Sequence, residues 1–344
     1  MNGLTRALLI PPSWLYRCAL ALRNRHYDRP SAVRSVSVPV VSVGNITVGG
    51  TGKTPIVSWI AVQLESMGRK PAIVSRGYGG AAGRGPVFVS RGGGPLCDAA
   101  QAGDEPVQLA ASLPGVRVVV GSDRWAGAAA AAADGADVVI LDDGFQHRRL
   151  ARDLDIVLLD ASNPFDNGRV IPAGRLREPL DALGRADVVM ITRASPGGVY
   201  PRIESEIHRH APQVPILRAD HRARGFVDAG GVALAAPRRA VVFCGIGNPD
   251  RFQQDIRELG IDIVDFRAFR DHHVYTATEI DELQSSARSR EAVLVTTEKD
   301  LARIEAGDHG SSRTSMIALR ITAEVHSPEP LLDALRRLGD PGGA

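Results

Sequence analysis

Residues 43–55, VGNITVGGTGKTP, join an apolar run to a stretch of helical periodicity through a glycine-rich loop. Gly49, Gly50 and Gly52 allow backbone N–H groups to turn inward, where they and a helix N-terminus cradle phosphate oxygens. Asn45 and Thr51 belong to the same loop. Lys53 reaches the β- and γ-phosphates of a nucleotide held there, and the Thr54 hydroxyl is placed to ligate Mg²⁺. The run departs from the usual G-x-x-x-x-G-K-[ST] at Thr47, where glycine is expected. VVILDDGFQH (138–147) is an apolar run ending in two carboxylates, the element that holds Mg²⁺ beside a phosphate loop. Either Asp142 or Asp143 orients that metal, directly or through water. GDEP (103–106) and RDHH (270–273) bring an acid and two imidazoles from distant segments. An Asp–His pair of this kind lets a carboxylate accept a hydroxyl proton. Taken alone, the first segment is more simply a helix cap and the second a solvated loop.

These groups need a scaffold that brings distant segments to one edge. VPVVSVGN (38–45), PAIVSRG (71–77), VRVVVG (116–121), ADVVILDD (136–143), LDIVLLD (154–160) and ADVVMITR (186–193) are short and apolar almost throughout. Helical or loop segments separate them, among them TPIVSWIAVQLESMG (54–68). Uniformly apolar strands alternating with helices predict an α/β fold, a mostly parallel sheet of the P-loop NTPase type covered on both faces. A second, smaller α/β unit begins at RRAVVFCGIGN (238–248), continues through IDIVDF (261–266) and AVLVTTEKD (292–300), and ends in a helix, PEPLLDALRRLG (328–339). The expected organisation is an N-terminal helical segment (1–37), a core carrying the phosphate loop (38–222) and a C-terminal α/β domain (223–344), with a linker at 223–237.

SWLYRCALALRNRHY (13–27) reads as a helix with Ser13 as N-cap. Trp14, Leu15, Cys18, Ala19 and Leu22 share one side, and residues 1–38 hold six arginines against a single acid, Asp28. Two readings fit: an interfacial helix with its arginines on anionic headgroups, or a helix packed on the protein's own core. The 344 residues carry 41 basic and 39 acidic side chains, a balance that argues against a dedicated nucleic-acid binder. Three cysteines without pairing or C-x-x-C spacing argue against a disulfide framework or zinc site and fit a reducing cytoplasm. No apolar run is long enough to predict a transmembrane helix. Only Lys53, Lys70 and Lys299 are lysines. Lys299 of TTEKD either contacts a substrate phosphate or, as favoured from sequence, pairs with Glu298 or Asp300 at the surface.

VGNITVGGTGKTP, SRGYGG (75–80), GDEP, GSDR (121–124), ILDDGFQHRRLARDLDIVLLD, PAGRLREP (172–179), FCGIGNP (243–249), DHHVYT (271–276) and TTEKD occur together and in order. From about residue 11 to 335 the chain resembles the tetraacyldisaccharide 4′-kinases, the lipid A 4′-kinases of Gram-negative bacteria. DDGFQHRRL and PAGRLREP are the most specific parts of that likeness, and the family shares the glycine-poor start of the phosphate loop. The resemblance implies a cytoplasmic, peripheral membrane enzyme. It would transfer the γ-phosphate of ATP to the 4′-hydroxyl of a tetraacylated disaccharide 1-phosphate, giving lipid IVA at the inner membrane. It implies a catalytic pair of Asp104 and His272, with His273 as the alternative histidine. It further places Lys53, Thr54, Asp142, Asp143 and Glu178 at the phosphates and metal, and Arg76, Tyr78, Arg124 and His147 near nucleotide or lipid headgroup. It favours the interfacial reading of the N-terminal helix. A P-loop kinase of a soluble small molecule and a nucleotide-driven switch ATPase are the alternatives, and both leave DDGFQHRRL and PAGRLREP unexplained.

Overall fold

The computed structural model describes residues 8–77, 85–195, 197–305 and 316–339. β1 (Val40–Asn45) is buried at every residue and lies between β5 (Val138–Asp142) and β6 (Leu154–Asp160), parallel to both. β5 continues the sheet to β2 (Pro71–Ser75) and β4 (Arg117–Val120), and β3 (Val87–Arg91) closes that side antiparallel to β4. On the other side β6 pairs with β7 (Val188–Thr192), and β7 with the start of β8 (Ile216–Val227). The long β8 then pairs antiparallel with β13 (Met316–His326). From β13 the sheet runs on through β12 (Val293–Thr297) and β10 (Arg239–Cys244) to β11 (Asp262–Ala268), each pair parallel. β9 (Ala233–Leu234) folds back on the end of β8.

Helices cover both faces, as uniformly apolar strands require. Ile56, Ile60 and Leu64 of α2 (Lys53–Ser66) and Leu109 of α4 (Asp104–Ser112) pack on Val41, Val43, Ile73 and Ile140, next to the short α3 (Ala99–Ala102). Each such fully buried aliphatic side chain contributes about 1.5–3 kcal/mol. On the opposite face the alanine-rich α5 (Arg124–Ala133) sets Ala128 and Ala131 against Val74, Val119 and Leu141. Its small residues permit that close approach: a Cβ on Gly127 would stand 2.9 Å from Val74 Cγ1. Further along the same sheet α6 (Pro201–His210) contributes Ile207 to a core around Phe145, Leu159 and Ile191. The second half wraps α7 (Pro249–Glu258), α8 (Ala277–Ser289) and α9 (Glu298–Glu305) around β10 and β12. The terminal α10 (Glu329–Arg336) returns Leu331 and Leu335 to the core under α2.

Three local expectations differ from the structure. α1 (Ile10–Tyr27) starts earlier than 13, on the Pro11–Pro12 pair that suits a first helical turn. Ser13 is therefore not its N-cap: it is buried, donates to the carbonyls of Leu9 and Val170 (3.0 and 3.1 Å) and accepts from the Ala173 N–H (2.9 Å). The stretch read as a linker, 223–237, contains the end of β8 and all of β9. β8 and β13 themselves escape the apolar-run criterion because polar residues recur along both, with Arg222 paired to Glu324 across them at 3.0 Å.

Candidate active site

Parallel strands deliver their C-terminal ends to one edge, where open α/β sheets build their sites. Val43 of β1 lies opposite Asp142 of β5, so the loop after β1 and the carboxylates after β5 are neighbours. The loop is held from within and below. Asn45 Nδ2 donates to Thr51 Oγ1 (3.0 Å), Thr192 Oγ1 donates to the Thr51 carbonyl (2.9 Å), and an Arg193 guanidinium nitrogen donates to the Gly50 carbonyl (3.0 Å). Gly52 opens α2 in the left-handed region (φ +73°), and a Cβ there would fall 2.1 Å from His221 Cε1. His221, half-buried on β8, thus forms the wall behind the turn, and desolvation, then repulsion from Arg193, pushes its imidazole down to about 4. The segment PAGRLREP straps the outside: Val48 N–H donates to the Arg175 carbonyl (2.7 Å), Arg175 Nη2 donates to the Val48 carbonyl (2.8 Å) and Arg177 N–H to that of Ile46 (2.7 Å).

The two strand-end aspartates occupy different environments. Asp142 is buried. Its Oδ2 accepts from Ser75 Oγ at 3.2 Å while Oδ1 meets no hydrogen-bond donor among the described residues. Burial, reinforced by Glu105, raises its carboxyl to about 6. Asp143 sits in a left-handed conformation (φ 54°), a backbone state that costs on the order of 1–3 kcal/mol and recurs at functional sites. Lys53 Nζ is 3.5 Å from its Oδ1 and Arg177 Nη1 2.8 Å from Oδ2. Burial alone would raise the Asp143 carboxyl, but Lys53 and Arg177 outweigh it and hold the group below the usual range. An acceptor without a donor, buried at the edge of the phosphate loop, fits a divalent cation, which needs one or two protein oxygens where phosphates supply others.

The second half of the site comes from α4. Gly103, with φ 88°, turns the chain into that helix, so Asp104 occupies its first turn. His272, also left-handed (φ 58°), places Nδ1 3.5 Å from Asp104 Oδ2. His273 does not reach Asp104: it stacks on Phe269 (4.7 Å between centroids) and pairs with Glu279 at 3.1 Å, so His272 is the histidine of the doublet that stands beside Asp104. Lys299 pairs with Glu105 at 2.7 Å, across the two halves, and not with Glu298 or Asp300 as the sequence suggested. Glu298 is occupied by Arg320 and Asp300 by Tyr275, Thr297 and Arg303.

The remaining sequence-derived positions divide. Arg124 is buried at the start of α5, with Nη1 on the Gly121 and Ser122 carbonyls (3.3 and 3.2 Å) and Nε unpartnered among the described residues. Burial and then Arg76 lower its affinity for a proton, and Asp143 and Asp142 oppose them, which places all four charges in one neighbourhood. Arg76 is exposed at the end of β2. His147 has a buried Nε2 with no partner among the described residues, and burial followed by Arg124 pushes it down to about 4, so it is neutral at physiological pH. Tyr78 lies outside the described residues. Glu178 is taken up by other partners: its fully buried carboxylate takes Arg185 (3.0 Å), Asn24 Nδ2 (3.1 Å) and Arg23 (3.8 Å), tying α1 to the strap. Sequence reasoning assigned no role to Arg177, His221 or Arg303. The first stands beside Glu178 in a motif already noted, and Arg303 follows Lys299 by one helical turn. His221, in a polar stretch, gave no signal.

A family model described as "Tetraacyldisaccharide-1-P 4'-kinase" matches residues 5–339. A tetraacyldisaccharide 4'-kinase of Syntrophus aciditrophicus is 43% identical over 310 residues, spanning 84% of this chain and 81% of its own. That of Geobacter sulfurreducens is 41% identical over 339 residues, spanning 96% and 93%. Among solved structures, LpxK from Aquifex aeolicus in complex with ATP is similar at a TM-score of 0.79 and 31% identity, over 97% of this chain and 99% of that one. With the phosphate loop, the paired aspartates and the Asp104–His272 contact in place, the chain belongs to the tetraacyldisaccharide-1-P 4'-kinase family.

Proposed function

We propose that the protein transfers the γ-phosphate of ATP to the 4′-hydroxyl of tetraacyldisaccharide 1-phosphate, the step that forms lipid IVA in lipid A biosynthesis. The observation that carries this reading is a phosphate loop joined to the strand-end carboxylates through Lys53 and Asp143, beside a carboxylate–imidazole pair presented by α4 and the 270–273 loop, with Glu105 of α4 close enough to act on Asp142. The loop amides and Lys53 bind the β- and γ-phosphates, and Arg177 holds Asp143 against Lys53. Asp142 and the Thr54 hydroxyl would hold Mg²⁺, which when bound neutralises charge on the phosphate oxygens. Asp104 accepts the 4′-hydroxyl proton as the new P–O bond forms and the bond from the γ-phosphorus to the bridging oxygen breaks, releasing ADP. His272 flanks Asp104 at its Oδ2. Positioning and electrostatics supply most of the acceleration, and a placed base adds on the order of 10²- to 10⁴-fold.

The lipid must be met at a membrane, and α1 supports that reading. The helix buries Ser13 and Leu20 and leaves Trp14, Leu15 and Leu22 about two-thirds or more exposed, with Arg17 and Arg25 also outward. We place this face in the acyl boundary, on the cytoplasmic side of the inner membrane, with arginines on anionic headgroups worth roughly 1 kcal/mol each. Among the described residues no helix is long and apolar enough to cross a membrane.

The test is acceptor dependence. ADP release from ATP should require the acylated disaccharide and should collapse in Asp104→Ala while ATP binding, followed calorimetrically, persists. Equal turnover on a deacylated acceptor would favour a soluble-substrate kinase, and acceptor-independent hydrolysis a switch ATPase. Near-normal turnover of Asp104→Ala, with chemistry rate-limiting, would contradict the base assignment.

A further inference from the structure

Asp104 is held less by His272 than by an arginine with no role in the scheme above. Arg303 Nε and Nη2 both donate to Asp104 Oδ2, at 3.0 and 2.6 Å, whereas the half-exposed His272 stands 3.5 Å from the same oxygen. The guanidinium is nearly buried and anchored behind: Nη1 donates to Asp300 Oδ1 (2.8 Å) and to the His273 carbonyl (3.2 Å). Asp300 has no solvent exposure and is itself fixed by the Gly245 N–H (3.0 Å), the Tyr275 hydroxyl (3.0 Å) and Thr297 Oγ1 (2.7 Å). A planar fork locked at both ends fixes direction as well as distance, which a compact ammonium does not.

We propose that Arg303, anchored by Asp300, is the positioning residue for the reaction. It grips Oδ2 of Asp104 and so leaves Oδ1 to face the acceptor hydroxyl. Every contact of Asp104 with the described side chains falls on Oδ2, which is the arrangement this requires. Lys299, one turn earlier on α9, grips Glu105 and steadies the same helix end. The proposal rests on Asp104 being the base, and it adds what aims that base: Arg303 acts through Asp104 and touches neither nucleotide nor acceptor.

The experiment is a double-mutant cycle on the full chain, with kcat and both KM values measured for Arg303→Met, Arg303→Lys, Asp104→Ala and Asp104→Ala/Arg303→Met, and thermal melting as a control. Misaiming a base costs about 10- to 100-fold in kcat, so Arg303→Met should fall by that much with KM for ATP unchanged. Arg303→Lys, which keeps the charge but not the fork, should recover part of the loss and serves if the methionine variant melts below the assay temperature. In the Asp104→Ala background the Arg303 change should have no further effect. Wild-type kcat in Arg303→Met, or an equal loss in both backgrounds, would overturn the proposal. Full activity in Asp104→Ala alone would instead overturn the base assignment on which it rests.

Discussion

Asp142→Asn should make the protein more stable and inactive. In the folded chain the Asp142 carboxyl is raised from 3.8 to about 6, chiefly by burial and then by Glu105. A raised carboxyl contributes stability that is fully present below its unfolded value and is lost as pH rises through the folded one. Two pH units correspond to about 3 kcal/mol, so at pH 8 the charged Asp142 costs the nucleotide-free protein roughly that much. Asparagine removes the charge, and its oxygen can still accept from Ser75, while one unpartnered atom replaces another at Oδ1. For a chain of 344 residues, about 3 kcal/mol raises Tm by about 4 °C. The assay is thermal unfolding without nucleotide or Mg²⁺, with variant and wild type compared at pH 8 and pH 4.5. The advantage should shrink to about 1 kcal/mol at the lower pH, where the native carboxyl is already mostly protonated. Equal or lower stability of the variant at pH 8, or a gap that does not change with pH, would refute this reasoning.

Other outcomes follow from the same contacts. Glu178→Ala strands Arg185 beside an emptied site and should cost about 3 kcal/mol in denaturant unfolding, with the Mg²⁺ dependence of turnover unchanged, because its carboxylate serves the strap and not the cation. Gly52→Ala meets both a left-handed φ, worth about 1–2 kcal/mol, and His221, so calorimetry should show ATP binding lost while β1 and α2 keep their circular dichroism. Trp14→Glu with Leu15→Glu should abolish sedimentation with anionic vesicles yet spare turnover in detergent micelles. Vesicle binding of the intact protein should weaken with salt, and its persistence in the double variant would assign that face to another role.

Much of the frame is legible in the sequence because parallel strands buried on both faces are apolar at every position. LDIVLLD is β6 to the residue, and the ends of β1, β2, β5 and β7 lie within two residues of where the apolar runs place them. The phosphate loop and the DD pair are local motifs, so their chemistry is visible without knowing what surrounds them. What stays hidden depends on partners far away in the chain. β8 and β13 look polar because each carries ion pairs, and it is pairing with distant strands, with each other, with β7 and with β12, that makes them strands. Glu178 looks like a cation ligand in a motif full of site residues, but the arginines that claim it lie at positions 23 and 185. The choice between His272 and His273 needs Phe269 and Glu279, which occupy the second histidine. Arg303 could have been suspected from its spacing to Lys299, yet its partner lies 199 residues earlier.

The measurement that bears most directly on the whole account is transfer of label from γ-³²P-ATP to purified tetraacyldisaccharide 1-phosphate in micelles, with Mg²⁺ present or chelated. The account predicts a Mg²⁺-dependent bis-phosphorylated lipid carrying the label at the 4′ position, absent in Asp104→Ala. Free labelled phosphate in place of labelled lipid, at a rate indifferent to the acceptor, would contradict it.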